Sequence, residues 1–355
     1  DQPDSAHNAL SISQTALTVA NFRCHGGDFV EIAKLLPNDG AAGDRFGRSV
    51  AISGATGIVG APLDNDNGSD SGSAYLFDTT TGRQLFKLLP LDGAADRFGV
   101  SVAISGATAI VGAWLDDDNG IDSGSAYLFD TTTGRQLFKL LPNDGAVGDW
   151  FGISVATSGA TAIVGAVLDD DNGFASGSAY LFDTTTGLQI AKLLPNDGFT
   201  NDRFGTSVAI SGGTAIVGAN QDDDNGSSSG SAYLFDTTTG LQIAKLLPND
   251  GATEDRFGTS VAISGAPGKE VVIVGAWWDD DNGTNSGSAY LFAAAAAPGK
   301  CPWDLDGNGS VGASDLLSLL VSWGPCNGCP ADFDDNGTVG ASDLLALLVN
   351  WGPCP

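Results

Sequence analysis

A 53-residue unit repeats through most of the chain, and that period limits the architectures open to it. The clearest copy, from Asp202, reads DRFGTSVAISGGTAIVGANQDDDNGSSSGSAYLFDTTTGLQIAKLLPNDGATE. Its Phe-Gly pair recurs at Phe46, Phe98, Phe151, Phe204 and Phe257, at steps of 52, 53, 53 and 53 residues. The last copy carries a small insertion, Pro267-Gly268-Lys269-Glu270. A strand-rich period of roughly fifty residues marks a propeller or solenoid, in which each unit buries its apolar face only by stacking on its neighbours.

Each unit reads as four strands: SVAISG with alternating Val and Ile, the short apolar run TAIVGA, then GSAYLFD, then LQIAKLLP or RQLFKLLP. Asp-Thr-Thr-Thr-Gly turns the third strand into the fourth, with Gly available for a positive φ. Pro-Asn-Asp-Gly ends the fourth by removing a donor and turning the chain. Such units arranged radially are propeller blades. In the last unit Ala293–Ala297 stands in place of the turn and the fourth strand, while FVEIAKLLPNDG (29–40) supplies one spare fourth strand. The strands then sum to five blades of four. The expectation is an all-β five-bladed propeller closed by that N-terminal strand, which leaves no exposed edge.

This divides the chain into an N-terminal extension (1–28), a propeller (29–292), a linker (293–300) and a small module (301–355). In the extension, Leu10, Ile12, Leu17 and Val19 alternate in a way that suits a donated strand. The module holds two copies of a 26-residue unit, 301–326 and 329–354, each an Asp-rich loop followed by an apolar helix that stops at Gly-Pro.

The acids are the chain's main chemical signal. There are 43 acidic against 15 basic side chains, a net charge of -28, and more than half of the acids sit in the five loops after VGA and in the C-terminal module. Nucleic acid is excluded as a partner by the lack of a basic patch. No run of eighteen apolar residues exists, so no membrane span is expected. Met is absent even at position 1, which fits a processed, secreted chain found extracellularly or at a cell surface.

In the module, counting Asp304 as loop position 1 places Asp306, Asn308, Ser310 and Asp315 at positions 3, 5, 7 and 12. The second loop matches with Asp332, Asp334, Asn336, Thr338 and Asp343. That is the EF-hand register, whose hard oxygen donors in a flexible loop favour Ca²⁺. Cys301 with Cys326, and Cys329 with Cys354, would each close one unit, although the sequence does not fix the connectivity and a zinc site is the rival reading. Cys24 is left over.

The propeller loops offer a second set of carboxylates, the first and third acids of each DDDNG run. These are Asp64 and Asp66, Asp116 and Asp118, Asp169 and Asp171, Asp222 and Asp224, and Asp279 and Asp281. They are read either as Ca²⁺ loops or as solvated polar turns. Asn67, Asn225 and Asn282 begin NGS or NGT triplets, open to a surface glycan.

The run FGxSVAISG, VGA, DDDNG and SGSAYLF resembles the FG-GAP repeats of integrin α-chain propellers and bacterial surface proteins. Only the first copy spells Gly60-Ala61-Pro62. The integrin Ca²⁺ loop lies between the first two strands, where this chain has a tight turn, so its metal residues do not transfer by position. The paired loop–helix units are similar to dockerin modules, which share Asp at position 12 and one helix per loop. The resemblance implies docking onto a cohesin-like domain, with Ala313-Ser314 and Ala341-Ser342 at the positions that choose the partner. The Cys flanks depart from that family.

A catalytic role is not expected. His7 and His25 lie outside the repeats, which disfavours a Ser-His-Asp triad, and near-identical blades offer no distinct pocket for a glycosidase-type Asp pair. The expected function is a secreted, calcium-dependent structural or adhesive protein that assembles head to tail with further copies of itself through its terminal segments. The alternative is a carbohydrate- or protein-binding propeller carried on a cohesin-type scaffold.

Overall fold

The computed structural model describes residues 31–92, 96–266, 269–293, 301–326, 329–334 and 336–353. Leu35–Pro355 forms one compact unit. The expected donated strand in 1–22, together with Cys24, His7 and His25, lies outside the described residues.

The strands form where alternation and turn chemistry place them. Blade 1 consists of Ser49–Ser53, Thr56–Ala61, Ser73–Asp78 and Gln84–Leu88, paired antiparallel in chain order. Blades 2, 3 and 4 repeat this four-stranded sheet from Val102 to Leu140, Phe151 to Leu193 and Phe204 to Leu246. Blade 5 has three strands, Phe257–Ser264, Val271–Ala276 and Ser288–Ala293. Five antiparallel sheets of this kind fit a β-propeller.

Successive blades clasp one another through the Phe-Gly and Val-Gly-Ala elements. Ser49 Oγ donates to the Gly99 carbonyl at 2.8 Å, and Ser101, Ser154 and Ser207 do the same to Gly152, Gly205 and Gly258. A Cβ on Gly60 would lie 2.0 Å from the Gly99 oxygen, and one on Gly112 would lie 1.9 Å from that of Gly152. Only Gly admits the next blade's backbone at this point. Outward of the clasp, Ile58 and Leu76 of blade 1 bury against Val102 and Ile104 of blade 2, and the later interfaces repeat the pattern. Full burial of each such side chain stabilises the stack by about 2 kcal/mol.

The expected closing strand is not in place. Residues 31–37 form no strand, and blade 5 has no fourth strand among the described residues. The end faces are accordingly uncovered: Val50 is 68 % exposed where its counterpart Val102 is 8 % exposed, and Leu291 is 73 % exposed where Leu128 is fully buried. Residues 35–39 nevertheless already hold the repeat position against blade 1. Leu35 packs on Tyr75 and Phe77, and Asn38 N donates to Gln84 Oε1 as Asn143 N does to Gln189.

The C-terminal module has two nine-residue helices, α1 (Ala313–Val321) and α2 (Ala341–Val349). Ser310–Val311 pairs with Gly352–Pro353, and Gly324–Pro325 pairs with Thr338–Val339, so each loop strand binds the exit of the other helix. Val311, Leu319, Val339 and Leu347 make the core. Among the described residues one disulfide joins Cys326 to Cys329, which corrects the pairing of each within its own unit, and Cys301 is disulfide-bonded as well. The two cysteines stand only three residues apart in the chain, with their Cα atoms 5.8 Å apart.

Candidate functional site

The two C-terminal loops bring the expected ligands together. The carboxylates of Asp304, Asp306 and Asp315 lie within 4.8 Å of one another, as do those of Asp332, Asp334 and Asp343. Each loop is shaped by backbone donors behind its acids. Gly309 N reaches Asp304 Oδ2 at 2.8 Å and Gly337 N reaches Asp332 Oδ2 at 2.7 Å. Both glycines, at loop position 6, have positive φ, of +85° and +83°. Asn308 and Asn336 continue the turn by accepting from the backbone N–H of Ser310 and Thr338.

The last acid of each cluster sits in the first turn of its helix. Asp315 Oδ2 accepts from Gly312 N and Asp343 Oδ2 from Gly340 N, both at 2.8 Å. Burial pushes the Asp343 carboxyl up, but the N–H groups of Gly340, Phe333 and Asp334 outweigh it and hold the group below its ordinary value. Residues 301–355 contain no Lys, Arg or His at all, so the module itself brings no cation to these acids. That signal was available in the sequence.

The propeller loops are built differently. In blade 2, Lys139 Nζ from the fourth strand lies 2.9 Å from Asp116, 2.6 Å from Asp118 and 2.8 Å from Asp92, which ends the preceding unit. Lys192 gathers Asp169, Asp171 and Asp144, and Lys245 gathers Asp222, Asp224 and Asp197. Lys87 does so with Asp64, Asp66 and Asp39. A tyrosine completes each cluster: Tyr127 OH donates to Asp116 at 2.7 Å, and Lys139 lies 5.2 Å from its ring centre. In these four blades a lysine ammonium therefore sits among the acids that the sequence offered either as calcium loops or as polar turns.

Electrostatics agree with the geometry. Burial pulls Lys139 down, but hydrogen bonds to Asp118, Asp92 and Asp116 outweigh it and hold the ammonium above its ordinary range. Burial likewise pushes Asp116 up, and Lys139 with Tyr127 brings it below.

Blade 5 breaks the pattern. Tyr290 OH donates to Asp279 at 2.6 Å, yet among the described residues no Lys or Arg pairs with Asp279 or Asp281. Among the described residues no fourth strand follows Ser288–Ala293 to carry a lysine.

Of the glycan triplets, Asn67 and Asn225 donate their side-chain amides to the carbonyls of Pro90 and Pro248, whereas Asn282 is exposed. No helix is long and apolar enough to cross a membrane among the described residues.

The FG-GAP repeat model matches residues 29–77, 83–129, 135–182, 188–235 and 241–292. No curated protein matches the chain. The five matched segments cover well over half of the sequence, each running from a fourth-strand sequence through the first three strands of the following sheet, so the chain belongs to the FG-GAP repeat family.

Proposed function

We propose that this is a secreted, calcium-dependent structural or adhesive protein, with a propeller-type platform joined to a dockerin-like pair of EF-hand loops. The observation that carries the reading is the convergence of three carboxylates within 4.8 Å in each C-terminal loop. The three convergent acids of each loop repel one another, and a divalent cation offsets that repulsion. The Asp304 and Asp332 side chains, with Asp306, Asp334, Asn308, Asn336 and the position-12 acids Asp315 and Asp343, would hold the ion. Ser310 and Thr338 would contribute backbone oxygens.

A coupling role is supported by what the helices leave uncovered. Leu317, Leu320 and Val321 on α1, and Leu345, Leu348 and Val349 on α2, are exposed in matching positions. Contiguous exposed apolar side chains on a small module mark a contact surface. The partner is either another copy of the chain or a cohesin-like domain. Binding, rather than catalysis, is the task assigned to the platform.

Calorimetry tests this directly. Two calcium ions bind per chain, and Asp304→Ala with Asp332→Ala abolishes both; a chain that takes up no calcium at millimolar concentration would overturn the proposal. A second reading, a carbohydrate-binding platform, is favoured by exposed Trp277 beside Trp278, over which Arg256 stacks at 4.0 Å. Glycan binding lost on Trp277→Ala would support it.

A further inference from the structure

Four blade interfaces are complete within the chain and a fifth exists only as two separated halves. We propose that the uncovered face of blade 5 receives blade 1 of a second copy, reproducing the contact that joins each blade to the next. The proposal deepens the head-to-tail part of the function above and rests on it, but it moves the joint from the terminal segments to the blade faces.

The blade 5 half is a socket whose parts are each recognisable from the other four. At Gly60, Gly112, Gly165 and Gly218 an added Cβ would strike the carbonyl oxygen of the following blade's glycine at 1.9–2.2 Å. The corresponding Gly275 meets only its own blade's Ser260. Gly72, Gly124, Gly177 and Gly230 each bridge to the next blade's Phe, whereas Gly287 bridges to nothing among the described residues. A hollow of about 520 Å³, lined in part by Ser260, Gly275 and Gly287, occupies the place where that Phe-Gly backbone runs at the other interfaces.

The apolar surfaces match in the same way. Ile58 and Leu76 are fully buried under the first strand of blade 2, while their counterparts Ile273 and Leu291 are 44 % and 73 % exposed. On the other half, Val50 and Ile52 are the exposed counterparts of Val102 and Ile104. The two halves are different surfaces on one chain, so joining them between copies is heterologous and continues along a line.

The polar cluster of blade 5 points to the same occupant. It keeps Asp279, Asp281 and Tyr290 but, among the described residues, has no fourth-strand lysine, and its third strand is the last of its sheet. A segment with the fourth-strand sequence, Glu31–Leu36, precedes blade 1 and carries Lys34 in register with Lys87 and Lys139. Because Leu35 already packs on blade 1, a second copy docking by that blade brings its own Lys34 to the vacant lysine position. Strand addition at a sheet edge is a general mode of association.

Complementation tests the idea in the full chain. Val50→Asp with Ile52→Asp disables one face, and Ile273→Asp with Leu291→Asp disables the other. All four side chains are exposed in the single copy, so each variant is expected to keep the wild-type circular dichroism. Light scattering on a sizing column should give a ladder of masses for the wild type and a single chain mass for either variant. An equimolar mixture of the two variants should give a species of twice the chain mass, which Lys34→Glu in the second variant weakens at least tenfold. A mixture that stays at the chain mass, or a wild type that is monomeric at every concentration because it closes on itself, would overturn the proposal. Running both arms with calcium and with chelator separates the claims. Pairing in either condition upholds this joint, while loss of calcium binding alone sinks only the calcium-dependent reading.

Discussion

Two parts of the molecule are built from the same short pattern, Asp-x-Asp-x-Asn or its near copy, and use it in opposite ways. In blades 1–4 the acids surround a lysine that the same repeat supplies from its fourth strand. In the C-terminal loops the acids converge on one another within a stretch that has no basic residue. A run of carboxylates therefore states only that positive charge is required. Which charge arrives depends on what the surrounding topology brings, and the two regions differ there.

The largest expected effect breaks the comparison from the C-terminal side. Removing calcium leaves six crowded carboxylates and a core of little more than Val311, Leu319, Val339 and Leu347. Ion binding that shapes a small module contributes to its folding directly. With chelator the module should lose its near-ultraviolet Trp signal, while the blade strands keep theirs in the far ultraviolet. A module equally ordered with and without calcium would place its loops in the same class as the blades.

The next effect attacks the blades. Lys139→Met strips the ammonium from Asp116, which is almost fully buried, and from Asp92 and Asp118. Leaving one partner of a buried pair uncompensated typically costs about 3–5 kcal/mol, toward the lower end here because two of the acids are half exposed. Denaturant unfolding measures the loss. Calcium should then restore part of the stability in the variant and none in the wild type, which makes a blade loop behave like a C-terminal one. Acid gives the parallel result. Asp116 is held below its ordinary range, so its contribution is complete above that range and disappears as pH falls through the lowered value.

How much of this was legible follows from the range over which each feature is decided. Strand order, turn positions and five units could be read because each depends on residues within one period. The two C-terminal carboxylate clusters were legible for the same reason, their acids lying within Asp304–Asp315 or Asp332–Asp343. The lysine clusters were not read, although every member was visible. Lys139 meets Asp116 across 23 residues and Asp92 across 47, a distance at which loop composition gives no hint of the partner. Asking which base neutralises each repeated acid would have found them. The Cys326–Cys329 bridge escaped for the opposite reason: its cysteines are three residues apart, but the repeat assigns each to its own unit rather than to the link between the units.

A smaller effect comes from a third kind of carboxylate, the buried acid ahead of a Phe-Gly pair, as at Asp149 and Asp202. Asp202 accepts from Phe199 N at 2.6 Å. Burial raises it from 3.8 to about 7, and burial raises Asp149 to about 6. Here the sign is reversed. Between the ordinary and raised values the folded chain holds more protons than the unfolded one, so stability falls as pH rises through that window. Asp202→Asn keeps an acceptor for Phe199 N and removes the charge. It should stabilise the chain by roughly 1–3 kcal/mol at pH 8 and by little at pH 4, read as a pH-dependent difference in unfolding free energy. A pH-independent gain would assign the effect to packing.

The smallest effect sharpens the contrast inside the propeller itself. Asp118 and Asp281 occupy equivalent loop positions, but only Asp118 has a lysine beside it. Asp118 is about half exposed, so its pair with Lys139 contributes only about 0.5–1 kcal/mol after solvent screening, and Asp118→Asn should cost that much. Asp281→Asn, measured at concentrations where the chain is a single copy, should cost nothing and even gain a few tenths of a kcal/mol as repulsion with Asp279 and Asp280 is relieved. The difference between the two variants should shrink in high salt, because the Asp118 pair is screened. Equal costs in blades 2 and 5 would mean that the fourth-strand lysine is a passive neighbour, and the division between self-neutralised and ion-seeking loops would then have no energetic basis in the blades.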